Sequence, residues 1–428
     1  MKNIKTLSII ATFIFITLFF QNAKACNEYE IEWDSKYGGT NYDDGYFVQN
    51  TSDGGYILIG STSSFNVGKD IWLIKTNEKG DEEWNKTFGG FGNDYGRCIR
   101  QTSDYGFILI GKTSLYGAGS YDIWLIKTDS NGNETWNRTY GGQNWDEGFN
   151  VHQTNDGGYI LLGYTSSYGN GLDDIWLIKT DSNGNETWNK TFGGSGYDYG
   201  ESFQITNDSG FIITGQKWKD TSSDVWLIKT DKNGDEIWNK TYGNPGLSES
   251  GNSVQQTDDQ GFIILGWTKS HGDANGDIWL IKTNKTGDKT WDKTYGGKDI
   301  DEGLYVLQTS EEGYILSTYK GVNDNSSGYA WIILTDKDGN ILWDKRLKSD
   351  SDGDFIRCIQ KIQNNSYILT GSTDEGSGLS DVWLIKLRPI IYKEIDTTYL
   401  YPMLIIALTI AVIFCIPIAL YWRKRYYS

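Results

Sequence analysis

The chain has 428 residues, a formal net charge of −17, 14% aromatic residues, 52 glycines and four prolines. Such an acidic exterior argues against nucleic acid and anionic lipid as partners. Four cysteines are too few for a disulfide-built scaffold, and Cys26, Cys98 and Cys358 show no zinc or redox spacing.

In chain order, Lys2 and Lys5 precede an apolar run from Leu7 to Phe20, and Ala23-Lys24-Ala25 has the small-x-small pattern of a signal-peptidase site. Residues 1–25 therefore read as a removed signal peptide. Cys26 stands where a lipoprotein cysteine would, but Lys24 spoils the lipobox.

A lone strand, "EIEWDSKYGG" (Glu30–Gly39), comes next and is followed by seven copies of one unit. The tryptophan of "WLIK" recurs at Trp72, Trp124, Trp176, Trp226, Trp279, Trp331 and Trp383. A second tryptophan recurs at Trp33, Trp84, Trp136, Trp188, Trp238, Trp291 and Trp343, and both series step by 50 to 53 residues. Each unit holds four strand-like runs. In the third they are Asp146–Thr154, Gly157–Ser166, Asp174–Asp181 and Asn185–Gly194, divided by "NDGG" and "DSNGN" turns. Four strands at this period are the signature of a propeller blade. The seventh unit lacks its fourth strand, so the amino-terminal strand should complete that blade and close the ring. The expected fold is all-β, a seven-bladed β-propeller over residues 26–388.

A linker at 389–399 leads to a transmembrane helix at 400–422. Within it Met403–Tyr421 is 19 residues without a charge, and Cys415 lies there. Arg423, Lys424 and Arg425 mark the 423–428 tail as cytoplasmic. The expected location is the cell membrane, single-pass, with the amino-terminal domain extracellular.

The unit "TD-x-N-G-x-x-x-W", as in Thr180-Asp181-Ser182-Asn183-Gly184 to Trp188, resembles the repeat of quinoprotein-like propellers. That resemblance implies blades tied to their neighbours by an aspartate, a glycine and a tryptophan. With "GGYILxG", "DIWLIKTD" and "WNKTYGG", the unit is also similar to repeats of surface-anchored bacterial and archaeal propeller proteins, some carrying an endoglucanase-like label. Quinone enzymes of the first kind use eight blades and often a vicinal cysteine pair. Seven units and no Cys-Cys depart from that pattern, and no cofactor is expected.

Features present in every copy read as scaffold. The fourteen repeated tryptophans read as core. Asp181, Asn183 and Asn185 in "DSNGN" faintly resemble a calcium loop, but Gly184 falls fourth rather than sixth, so a hairpin turn is expected. An acidic residue before each first strand recurs as Asp44, Asp94, Asp146, Asp198, Glu249, Asp301 and Asp354. Its expected role is to accept backbone N–H bonds, and it is also where Ca2+ or another divalent cation could be held. Of eleven N-x-S/T sequons, Asn85, Asn137, Asn189 and Asn239 fall inside the fourth strand. Asn133, Asn185, Asn207, Asn284, Asn325 and Asn364 fall on turns or loops, where a glycosyltransferase would reach them.

Function should lie where the copies differ. The connections after strands two and four vary and should emerge on one face, which the chain's course would turn outward from the membrane. Tyr42, Phe65, Phe91, Tyr116, Trp145, Tyr168, Tyr197 and Trp218 supply aromatic contact surface there. The expected function is a non-catalytic cell-surface binding or adhesion platform for a glycan, an envelope component or a protein. The alternative is a carbohydrate-active hydrolase or lyase using a carboxylate pair such as Asp146 and Asp198. The chain has only two histidines, His152 and His271, and no nucleophile elbow.

Overall fold

The structure is a computed structural model and describes residues 28–219, 221–272, 275–322, 327–347, 353–376 and 378–390. The expected signal peptide, Cys26, Asn325, the linker beyond residue 390, the membrane helix and the cytoplasmic tail lie outside the described residues. Among those described, no helix is long and apolar enough to cross a membrane.

The described strands form seven four-stranded antiparallel sheets. Blade 1 consists of Asp43–Asn50, Tyr56–Thr62, Asp70–Thr76 and Glu82–Phe88, in that spatial order. The first strand of each blade is innermost and touches the first strands of both neighbours, so the seven close a ring. The second and third strands are apolar on both faces because each sheet is sandwiched between two others. Ile57, Leu58, Ile59, Ile71, Leu73 and Ile74 are accordingly buried. The outer strand alternates, with one face solvated, as the pattern of Glu82–Phe88 shows.

Both tryptophan series are scaffold. Trp72 is buried and its Nε1 donates to Asn85 Oδ1 at 3.3 Å, so that sequon asparagine belongs to the core's margin. Asn137, Asn189 and Asn239 do the same for Trp124, Trp176 and Trp226. Trp136 of the second series reaches into the next blade, 5.9 Å from the Tyr159 ring. Gly184, at φ +76°, closes over it where a Cβ would collide with the indole, and Tyr140 Oη donates to the Gly184 carbonyl at 2.6 Å. In the turn before it, Asp181 Oδ1 accepts the N–H groups of Asn183 and Asn185, both at 2.8 Å. The "DSNGN" oxygens are thus spent on the turn itself.

The amino-terminal strand closes the ring. Tyr29–Tyr37 pairs antiparallel with Asp381–Pro389, placing Lys36 opposite Trp383, whose Nε1 donates to Asp34 Oδ2 at 3.0 Å. Because Tyr29 pairs with Pro389, the compact unit runs from Tyr29 to Pro389, one residue into the expected linker.

Each inner strand carries a bulge at one register. In blade 1 Gly45 pairs with Gly60 and Phe47 with Ile59, leaving Tyr46 as the extra residue. The same step leaves Arg97, Phe149, Glu201, Asn252, Leu304 and Arg357 unpaired in blades 2 to 7. A bulge releases a side chain from the pleat and re-aims it.

Candidate functional site

Asp43 faces Thr62, Thr62 faces Asp70 and Ile71 faces Phe88. The 63–69 loop and the 89–93 crossover therefore emerge on one face, and the constant turns on the other. All eight aromatic candidates lie on the variable face, but the structure sorts them. Phe65, Tyr116 and Tyr168 lean on Trp72, Trp124 and Trp176 with ring centroids 5.3, 5.0 and 5.2 Å apart. They cap the outer part of their own blades, as His271 does at Trp279, 4.8 Å away. Tyr42 makes a backbone bridge to Ser380, and Phe91 is 90% exposed.

Trp145, Tyr197 and Trp218 belong to a different group. Trp145 lies 4.4 Å from Tyr121, and Tyr197 is 6.1 Å from Trp218 and stacks on Tyr199 at 6.4 Å. Tyr199 in turn meets Tyr164 at 5.0 Å, and Tyr164 meets Phe149 at 5.8 Å. These rings make an aromatic arc over blades 2 to 4.

Beneath the arc are charges at positions where the copies differ. Glu147, buried, is 2.5 Å from Arg97 Nη2 and 2.7 Å from Lys112 Nζ. Lys112 is itself enclosed by the rings of Tyr95, Tyr121 and Trp145, with centroids 4.9, 4.9 and 4.6 Å from Nζ. Burial pushes the Glu147 carboxyl up, but Arg97 and Lys112 outweigh it and hold the group below the ordinary carboxylate range.

The bulge residues line the lumen. The Arg97 guanidinium lies over the rings of Tyr46 and Phe149, one in each neighbouring blade, and the Arg357 guanidinium also lies over the Tyr46 ring, 4.7 Å from its centroid. Across the lumen Glu201 makes no hydrogen bond with a described residue, and burial pushes its carboxyl up to about 7. Arg97 opposes that rise, while Glu147 and Glu302 add to it. Glu201 keeps part of its surface exposed, yet protein encircles it, so its charge is poorly solvated. Glu302 accepts Asn252 Nδ2 at 2.9 Å. The lumen thus has a basic side on blades 7 and 2 and an acidic side on blades 4 and 6.

A second ring stands further along. Gln49, Gln204 and Gln255 accept the N–H groups of Gln101, Gln256 and Gln308 in the next blade, satisfying the free edges of the inner strands. In blades 2 and 3 Arg100 and His152 replace that glutamine, 3.3 Å apart. Burial first, and Arg100 second, keep His152 neutral. Cys98 and Cys358 are free thiols here, and burial pushes Cys358 up to about 12, which leaves it unreactive.

The acidic series requires one correction. The residue equivalent to Asp94, Asp146, Asp198, Glu249, Asp301 and Asp354 in blade 1 is Asp43, not Asp44. Asp43 Oδ2 accepts the Gly39 N–H at 2.8 Å, as Asp146, Asp198 and Asp301 accept Gly142, Gly194 and Gly297, each four residues back. Asp44 instead pairs with Lys69 at 2.9 Å. The series is buried at the junctions between blades rather than ringing the channel mouth, so Asp146 and Asp198 do not face each other across it. Among the described residues no group of three or more His, Cys, Asp or Glu is placed to hold a metal ion.

The lumen residues were not among the sequence candidates. The available signal was divergence within the inner strand, where Tyr46, Arg97, Phe149, Glu201, Asn252, Leu304 and Arg357 occupy one repeat position. A cavity of about 570 Å³ on the constant face is lined by Asp104, Lys127, Trp136 and other repeated residues, and it reads as scaffold.

No protein-family model and no curated protein matches the chain. Solved structures do. The polysaccharide lyase Uly1 is 9% identical with a TM-score of 0.51, over 83% of this chain and 90% of that one. Puromycin hydrolase is 9% identical with a TM-score of 0.52, over 78% of this chain and 51% of that one, so the match spans about half its length. A protein of unknown function from Dyadobacter fermentans is 10% identical with a TM-score of 0.47, over 85% and 99%. The likeness is one of fold, an all-β propeller.

Proposed function

We propose that this protein is a non-catalytic binding module that takes a glycan at the channel mouth on its variable face. One observation carries the reading. At the bulge position the chain abandons its repeat and sets Arg97, Glu201, Asn252 and Arg357 around the lumen, below an arc that includes Trp145, Tyr197 and Trp218. Flat rings beside hydrogen-bonding and charged groups suit a sugar, which offers both apolar faces and hydroxyls. The sequence supports display outside the cell through the amino-terminal leader and the apolar segment at 400–422. The last strand of blade 7 runs from the variable face toward the constant face, since Thr373 pairs with Asp381 and Tyr367 with Leu387. A glycan array probed with the full-length chain tests the reading. Retention of a defined glycan, weakened by Trp145→Ala, supports it, and an array without hits sinks it.

A second reading, a carbohydrate-active hydrolase or lyase, is favoured by one contrast. Glu147 is held in its ionised form while Glu201 is pushed up to about 7, the split that general acid–base chemistry needs. Polysaccharide turnover abolished by Glu201→Gln would replace the binding reading with this one.

A further inference from the structure

At the junction of blades 1 and 2, Asp70 opens the third strand of one blade and Asp94 the first strand of the next. Both side chains are almost wholly buried. Asp70 Oδ2 is bonded to Asn66 Nδ2 and Asp70 Oδ1 has no partner, while the Asp94 carboxylate lies near the Thr113 hydroxyl and the Ser114 and Gly90 N–H groups without a well-formed bond to either oxygen. The two carboxylates converge on Gly89, where a Cβ would collide with Asp70 Oδ1 and Asp94 Oδ2 together.

The arrangement repeats. Asp122 and Asp146 converge on Gly141, Asp174 and Asp198 on Gly193, and Asp224 and Glu249 on Gly243. At the second of these junctions Asp122 Oδ2 accepts the N–H groups of Ala118 and Gly119, and Asp146 Oδ2 accepts that of Gly142 and the hydroxyl of Ser167. Asp146 Oδ1 is left over. Asp174 Oδ1 and Glu249 Oε2 are left over at the other two.

Buried carboxylate oxygens without donors are costly, and two facing carboxylates add repulsion to desolvation. One such oxygen would be an accident of packing. Orphans recur at successive junctions, and at Gly89, Gly193 and Gly243 an orphan oxygen faces the space the glycine keeps open, which points to a ligand that supplies positive charge. We infer that the blade junctions bind divalent cations, Ca2+ in the first instance, with one carboxylate from each adjoining blade as ligands. Ca2+ accepts six to eight oxygens in flexible geometry and takes water for those the protein does not provide. A bridging ion would draw neighbouring blades together and neutralise two acids at once. This inference is independent of what the variable face binds.

The test uses the purified full-length chain stripped with chelator and then given Ca2+ alone, or Tb3+ as a luminescent substitute. Trp72 lies two residues from Asp70 and Trp124 two from Asp122, so Tb3+ emission excited through tryptophan reports occupancy. The expected result is saturable emission, a melting temperature raised by Ca2+ and lowered by chelator, and one ion lost per chain in Asp122→Asn. Should that variant fail to fold, Asp70→Asn probes a separate junction. Absence of ion uptake, with Asp122→Asn raising the melting temperature, would overturn the inference in favour of a shared proton. Ion uptake unchanged in both variants would overturn it too, by placing the ions elsewhere.

Discussion

Replacing Glu147 by glutamine isolates the charge at the channel mouth while keeping the side chain's shape. The wild-type carboxylate stands 2.5 Å from Arg97 and 2.7 Å from Lys112, with 4% of its side chain exposed. In Glu147→Gln two cations share one dry pocket with no counter-ion. Removing one partner of a buried ion pair costs about 3–5 kcal/mol. Arg97 keeps 22% exposure and Lys112 keeps its three aromatic rings, so the low end applies, about 3 kcal/mol. Melting entropy of about 2.1 cal/mol/K per residue over the unit Tyr29–Pro389 gives roughly 0.75 kcal/mol/K, hence a fall of about 4 °C in Tm. Scanning calorimetry at neutral pH measures it. Adding Lys112→Met should recover more than half of the loss, because it removes the more deeply buried of the two cations left unpaired. A Tm for Glu147→Gln within about 1 °C of the parent, or no recovery in the double variant, refutes the reasoning.

Glu201 makes stability depend on pH. Its carboxyl is raised in the fold to about 7 from 4.5, so its contribution is complete below the unfolded value and is lost as pH rises through the folded one. Tm should fall between about pH 5 and pH 8, and Glu201→Gln should flatten that fall; an unchanged slope rejects the assignment. Deleting Tyr29–Tyr37 uncovers the edge of Asp381–Pro389, and the shortened chain should self-associate in size-exclusion chromatography. A monomer with the parent Tm would contradict the closing role of that strand. Phe65→Ala should lower Tm with no loss of ligand, because Phe65 caps Trp72, whereas Trp145→Ala should cost glycan retention in affinity electrophoresis. Equal effects of the two variants on retention would reject the sorting of the aromatic candidates.

Much of the fold was legible in advance. Fourteen tryptophans in two periodic series located the blades, and the missing fourth strand of the last unit identified the partner of Tyr29–Tyr37. The alternation of constant and variable connections correctly put the variable ones on one face. The site was less legible. Blade 1 has two adjacent aspartates, and the strand register together with the bond from the Gly39 N–H shows that Asp43, not Asp44, holds the repeat position. Phe65 and Trp145 look alike as loop aromatics, but one covers a tryptophan of its own blade and the other covers Lys112 of the preceding blade.

By itself the sequence determined the strands, their order and the closure, because these follow from local periodicity and from short hairpin turns between neighbours in the chain. Tertiary structure alone decided the lumen. A bulge shifts the side-chain alternation by one residue, so which residue turns inward depends on pairing across the sheet. The contact of Arg97 with Glu147 joins residues fifty positions apart, and the electrostatics of Glu201 join its blade to three others. Their charges are set by burial and by one another, and neither exists until the ring is closed.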